Sequence, residues 1–240
     1  MTTVQGARAR ARVEITAAIK DEARRQLAAE GAAKLSLRAV ARELGMVSSA
    51  LYRYFPSRDE LLTALIIDAY DSVGAAAEQA HAAAVRAEAR DHLAHWTAVC
   101  RAVRAWALAH PHEYALIYGS PVPGYTAPQD TVGPAARVGL LLVAVARAAY
   151  QGEGVALPPL PGGLAPEAER LAADLAPDLP PALAVALVSS WAQLFGLVSF
   201  EVFGQFNRVV EDRDAFFAAA AERLGREAGL LPRPRPRPRR

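Results

Sequence analysis

The chain has 240 residues, 52% of them hydrophobic, with 27 Lys/Arg against 25 Asp/Glu and a single cysteine, Cys100. That length suits one large domain or two modest ones. The lone thiol excludes an internal disulfide and fits a reducing compartment, and abundant alanine and leucine bias the core toward helix. Residues 1–60 hold 11 Lys/Arg against 7 Asp/Glu and residues 226–240 hold 6 Arg against 1 Glu, so the stretch between them is acidic. A basic head suggests a polyanionic partner. No apolar segment follows the polar, basic Met1–Arg12, and the longest apolar run, Val138–Ala146, is far below the ~20 residues needed to cross a bilayer. The expectation is a soluble, cytoplasmic protein with no membrane partner.

Arg8–Glu30 is helical in pattern. Ile15, Ile19, Ala23 and Leu27 recur every four residues, and Gly31 sits where a glycine ends a helix. Arg8, Arg10 and Arg12 at its head read either as a disordered arm or as cations for phosphates or a minor groove. Ser36 is a good N-cap for a second helix, whose Leu37, Val40, Ala41 and Leu44 make one apolar face before Gly45 ends it. Ser48 is placed to cap a third helix that turns Leu51 and Phe55 inward until Pro56 stops it. Ser57-Arg58-Asp59-Glu60 is a capping box for a fourth helix carrying Leu62, Leu65, Ile66 and Ala69.

Ala75–Leu108 is also helical in pattern, up to a break at His110-Pro111. After Tyr114–Tyr118 the breakers Pro121, Pro123, Gly124, Pro128, Gly133 and Pro134 predict a long irregular loop. Helices are predicted over Arg137–Tyr150, Glu167–Leu175, Ala182–Asn207 and Asp212–Ala228, with a Pro/Gly connector at Gly152–Pro166. Period-two alternation is absent, so no sheet is assigned. The alternating proline and arginine from Pro232 favour extended polyproline II, either as a solvated tail or as extra phosphate attraction.

The string Ser36–Glu60 carries the functional signal. Two short helices crossing closely need a small contact residue, which Ala41 supplies, and a left-handed turn, which Gly45 supplies without a Cβ penalty. Ser48, Ser49, Tyr52 and Tyr54 are then left for a DNA groove and its rims. Through Gly31, Ser36, Val40-Ala41, Gly45 and Leu51-Tyr52-Arg53-Tyr54-Phe55-Pro56-Ser57-Arg58-Asp59-Glu60-Leu61, residues 12–66 resemble the tetracycline-repressor family of bacterial regulators.

That resemblance implies an all-α fold, with a helix-turn-helix DNA-binding domain at 8–56, a helical effector-binding and dimerisation domain at 57–228 and a Pro/Arg tail at 229–240. Position by position it implies a phosphate contact at Ser36, a guanine-reading arginine at Arg38 and base-facing Ser48 and Ser49. It also implies a phosphate contact at Tyr52, a rim contact at Tyr54 (where histidine is more usual) and a backbone contact at Arg58. Arg24 and Gln26 stand where the family more often has apolar residues. The partners implied are a palindromic double-stranded operator, a small-molecule effector and a second copy joined through the last two helices. The leading reading is a repressor released by a small, mostly apolar ligand. An activator of the same fold and a helical enzyme on a small apolar substrate are the alternatives.

Trp96, Trp106, His110, Tyr114, Tyr118, Tyr125, Trp191 and Phe195 supply aromatic walls and polar tips for a ligand pocket, although each alone also reads as ordinary core. Gly152-Glu153-Gly154 lacks the third glycine and the preceding strand of a dinucleotide site, and Ser120 and Ser189 lie outside nucleophile elbows. His92 and His95 share a helix face, but a metal centre needs three or four convergent ligands. No cofactor, metal or catalytic group is expected.

Overall fold

A computed structural model of the chain describes residues 2–232, with side chains from residue 6 onward. The Pro/Arg repeat beyond Pro232 lies outside the described residues. Ten α-helices follow one another among those described: α1 (Thr2–Glu30), α2 (Leu37–Glu43), α3 (Ser48–Leu51), α4 (Arg58–Ala87), α5 (His92–Ala109), α6 (Pro111–Tyr118), α7 (Val132–Gln151), α8 (Ala165–Leu175), α9 (Pro181–Val202) and α10 (Arg213–Glu227). An isolated antiparallel bridge between Val155 and Leu230 is the sole strand-like pairing among them.

The helix ends follow local chemistry. Ser57 Oγ accepts from the Glu60 amide at 3.1 Å, the serine half of the predicted capping box, and opens α4. Asp212 caps α10 through the Ala215 amide at 2.9 Å, and Pro181 opens α9, where its missing N–H costs nothing. Three boundaries differ from the sequence reading. Arg8, Arg10 and Arg12 lie inside α1 rather than on a loose arm. The pattern over Ala75–Leu108 is interrupted after Ala87, because Asp91 accepts from the Ala94 amide at 2.9 Å and starts α5 afresh. Val47, not Ser48, holds the N-cap position of α3; Ser48 is its first helical residue.

The chain divides into two compact units. One comprises the residues up to Tyr70 together with His110–Pro134; the other comprises Asp71–Ala109 and the residues from Ala135 onward. The division runs through α4 instead of ending at Pro56, because the loop after α6 packs with the first four helices. In the first unit Ile19, Ala23 and Leu27 of α1, Val40 and Ala41 of α2, Leu51, Phe55 and Leu61 meet in a closed core. Leu116, Val122 and Tyr125 of the second segment pack against it. Polar ties reinforce this. Asp68 on α4 accepts from Lys20 Nζ at 2.8 Å and from Arg24 Nη2 at 2.7 Å, while Arg24 Nε lies 3.3 Å from Glu113 on α6. Tyr125 and Thr63 share a hydroxyl hydrogen bond of 2.9 Å. Arg24 therefore has a definite task, cross-linking α1 to α4 and α6.

In the second unit α5 packs on α9 and α10, and α8 on α9. Trp96 is fully buried and donates its indole N–H to the Ala221 carbonyl at 3.1 Å. Gly225 lets α10 approach that ring, since a Cβ there would stand 2.7 Å from Leu93 Cδ1 and 2.9 Å from Trp96 Cδ1. Arg104 grips Glu201 with Nε and Nη2 at 2.6 and 2.7 Å, reaches Asp214 at 2.7 Å and lies over the Phe217 ring. Gln129–Gln151 and Pro181–Val202 are long and apolar enough by composition to cross a bilayer, a length the longest uninterrupted apolar run had not suggested. Both supply core residues to this unit, Leu142 and Val145 from one, Leu183 and Leu194 from the other.

Candidate nucleic-acid interface and ligand cavity

The helix pair is built around a left-handed turn. Gly45 has φ +63°, and the Met46 amide reaches back to the Ala41 carbonyl at 2.8 Å. With Val40, Ala41, Leu51 and Phe55 turned inward, the opposite faces of α2 and α3 are left to solvent. Arg38, Ser48 and Ser49 are exposed and Tyr52 is 42% exposed, so four of the seven expected DNA-contacting side chains present themselves outward on adjacent elements. The regular helix ends at Leu51, but the Tyr54 and Phe55 amides both return to the Leu51 carbonyl, at 2.8 and 3.1 Å. Tyr52 is thereby held on a tight turn directly after the serines.

Ser36 accepts from the Ala39 amide at 3.4 Å, as a cap. Its hydroxyl proton remains available to an anion. Leu35, Ser36, Leu37, Arg38, Tyr52, Ser57 and Arg58 line one shallow recess of about 330 Å³, open to solvent. Two expected contacts are placed otherwise. Arg58 turns its guanidinium onto the turn between α1 and α2, with Nη2 2.9 Å from the Ala32 carbonyl and Nε 3.2 Å from that of Leu35. The Ala32 carbonyl also accepts from the Leu35 amide at 3.3 Å, whereas the Leu35 carbonyl lies just past the 3-10 turn, so the cation adds a second bond to the one, satisfies the other and shapes the recess. Tyr54 packs against the core, and its ring lies under the Arg12 guanidinium at 5.2 Å. It braces α1 against α3 and does not face outward with Tyr52.

Of the eight aromatic and histidine positions expected to line one pocket, His110, Tyr114, Tyr118 and Tyr125 belong to the first unit and Trp96, Trp106, Trp191 and Phe195 to the second. Trp96 and Trp106 are buried core residues with their N–H groups donated to Ala221 and to Ser72 Oγ, the latter at 2.8 Å. Tyr114, Tyr118 and Tyr125 belong to the first unit, where Tyr114 is fully buried and stacks on Tyr118 at 5.1 Å. His110 is exposed and precedes α6. Phe195 is buried and meets Trp191 edge-on at 5.8 Å. Trp191 alone of the eight lines the large apolar cavity of the second unit.

That cavity, about 320 Å³, lies among α7, α8 and α9. Its walls are aliphatic: Leu140 and Val143 from α7, Leu171 from α8, Leu187 and Val188 from α9, with room left by Gly139 and Ala184. Aromatic content alone does not point to it. The signal in the sequence was the recurrence of small residues at Ala135, Ala136, Gly139 and Ala184 on apolar helices, where volume is withheld from a core.

Three of the five histidines pack with one another. His95 meets His81 and His92 edge-to-face, at 5.5 and 5.4 Å, and its Nε2 lies 2.8 Å from the Glu88 carbonyl. Among the described residues no three His, Cys, Asp or Glu side chains converge as a metal set. Cys100 is buried, and burial pushes its thiol up to about 12, which keeps it protonated.

Comparison with known proteins reaches the same helix pair and the body behind it. The profile described as bacterial regulatory proteins of the tetR family matches residues 19–65, and that of the tetracyclin repressor-like C-terminal domain matches residues 96–224. The HTH-type transcriptional regulators Rv1816 of Mycobacterium tuberculosis and Mb1846 of Mycobacterium bovis are each 42% identical over 204 residues, 84% of this chain and 86% of theirs. The chain belongs to the tetracycline-repressor family. The crystal structure of the regulatory protein SCO4313 superposes with a TM-score of 0.74 at 36% identity, covering 90% of this chain and 97% of that one. This family member is therefore a DNA-binding transcriptional regulator of all-α fold, and its relatives are regulators, not enzymes.

Proposed function

We propose that the chain is a homodimeric repressor that reads a palindromic operator and leaves it when a small apolar molecule binds. The observation that carries the reading is the outward set Arg38, Ser48, Ser49 and Tyr52 on a helix pair whose inward face is already filled. Ser48 and Ser49 would meet base edges, Arg38 a guanine, and Ser36 and Tyr52 the flanking phosphates. Arg58 and Tyr54 support that surface from behind. Repression takes place in the cytoplasm, away from any membrane.

A second copy is expected on α9 and α10. Along α9 the small exposed residues Ser189, Ala192 and Gly196 permit close helix approach, and Phe200 (53% exposed) and Phe203 continue the stripe. Phe216 of α10 joins through Phe206, with ring separations of 5.7 and 5.5 Å. An exposed apolar surface of this kind on a soluble protein is a place for a partner. Pairing would set two reading helices about one turn of DNA apart, ~34 Å.

Release requires that the ligand favour a conformation unsuited to the operator. A hundredfold loss of DNA affinity needs ~2.7 kcal/mol of differential ligand binding. Footprinting on the DNA flanking the gene, with and without apolar metabolites, tests the whole reading. Two protected half-sites related by a dyad are expected, lost on ligand addition. A strictly monomeric chain that protects no duplex would end it.

A further inference from the structure

We infer that the cavity among α7, α8 and α9 takes an uncharged, flexible aliphatic molecule of about ten non-hydrogen atoms with one polar end that accepts a hydrogen bond from Trp191. This rests on the ligand-release reading above and names the chemistry of its ligand.

Size comes first. The space is about 320 Å³, and at the ~30 Å³ that each molecule occupies in liquid water it holds roughly ten such units. Charge is excluded next. The cations carried by the two helices α7 and α8 are Arg137, Arg147 and Arg170, and α9 carries none. Arg137 is held by Glu78 at 2.7 and 3.0 Å and by Asp71 at 2.8 Å. Arg147 forks onto Asp178, and Arg170 bridges Glu167 and Asp174. None of the three lines the cavity. A carboxylate, phosphate or sulfate would enter without a counter-ion, at a cost that drives charged groups out of apolar space. The acidic partners are likewise engaged, so an ammonium finds no free carboxylate among them.

Shape and polarity settle the remainder. The walls are branched aliphatic side chains and Trp191 is the sole aromatic in the lining, so there is no pair of ring faces to sandwich a planar ligand. Trp191 also brings the one side-chain hydrogen-bonding group. Its indole edge faces Gly139, where an added Cβ would stand 3.8 Å from Nε1. Trp191 is 38% exposed, at the mouth of the cavity, which places the polar end of the guest toward solvent and its tail inward.

The test is calorimetric titration of the full-length protein with straight-chain 1-alkanols of six to twelve carbons, beside the matched carboxylates and alkylammonium ions. Affinity should rise about fourfold per methylene, then level off near ten non-hydrogen atoms, with the charged analogues about a hundredfold weaker. Gly139→Leu fills the space and should abolish saturable binding, with its melting curve as the folding control. Trp191→Phe should weaken every alkanol about fivefold and leave the increment per methylene intact.

Equal binding of the carboxylates would overturn the inference. So would an absence of saturable alkanol binding by the native chain, or unchanged binding by Gly139→Leu. Dissociation to monomers on alkanol addition would also overturn it, by making the space part of the contact between copies. Alkanol binding that leaves DNA affinity unchanged upholds the cavity chemistry and removes the release reading. Release by another compound without alkanol binding does the reverse.

Discussion

Replacing Arg58 by methionine separates two roles that the same side chain could play at a DNA interface. If the guanidinium serves the turn at Ala32–Lys34, its loss removes one hydrogen bond from each of the carbonyls of Ala32 and Leu35, now 2.9 and 3.2 Å away, and leaves Ala32 with the Leu35 amide alone. Hydrogen bonds from a charged donor contribute ~1.5–3 kcal/mol when well buried. Arg58 keeps 29% of its side chain in solvent, so ~1 kcal/mol per bond, ~2 kcal/mol together, is the figure after screening. At ~2–4 °C per kcal/mol for a chain of this size, the melting temperature should fall by ~4–8 °C. Lysine keeps the charge but lacks the planar fork, so Arg58→Lys should melt nearly as early as Arg58→Met. The decisive assay is DNA affinity across a salt series, by fluorescence anisotropy on a labelled duplex. A residue that only shapes the recess lowers affinity, by about tenfold for a ~1.4 kcal/mol loss, without changing the slope of log K against log salt. A residue that neutralises a phosphate lowers the slope by ~0.9. A slope reduced by that amount with an unchanged melting temperature would refute the positioning role.

Glu201→Gln removes the charge that holds Arg104; the two side chains are 5% and 15% exposed. Leaving a cation there with the exposed Asp214 alone should cost ~3 kcal/mol, seen by calorimetry as a melting temperature lower by ~6–12 °C. At Gly225 an alanine would drive its methyl into Leu93 and Trp96, at 2.7 and 2.9 Å; ~1–3 kcal/mol of destabilisation is expected in chemical unfolding, and none would mean the α5–α10 contact is looser than described. Burial pushes His81 and His92 below their ordinary values, with the neighbouring His95 acting in the same direction and Asp91 opposing it at His92. The unfolded chain therefore binds more protons than the folded one as pH falls through about 6.5, so stability present at neutral pH declines on acidification. Melting temperature should drop between pH 7.5 and 5.5, and less steeply in His81→Gln.

The parts of the fold that were legible in the sequence are those set by local chemistry. The apolar face of Leu37, Val40 and Ala41, the Gly45 turn, the Ser57 cap and the start of the last helix by Asp212 each depend on residues within four positions of one another, and each appears in place. The start of α5 at Asp91 was hidden because alanines on both sides keep a helical pattern running through it. The candidate DNA surface was legible in part for the same reason: Ser48, Ser49 and Tyr52 follow from which side of a short helix is apolar. The inward fate of Tyr54 and the use of Arg58 depend on Arg12 and on the turn at Ala32, contacts 42 and 26 residues away along the chain. The cavity was least legible, since a void is defined by what three helices fail to fill, and aromatic content says little about that.

Because Leu116, Val122 and Tyr125 complete a core otherwise formed by the first seventy residues, the DNA reader is not a detachable cassette. A fragment cut after Tyr70 would uncover the patch those three side chains cover and lose the Arg24–Glu113 and Thr63–Tyr125 ties. Chimeras that graft this reader onto a foreign sensor must transplant both stretches of chain, and exchange among relatives by simple recombination at one breakpoint would be penalised.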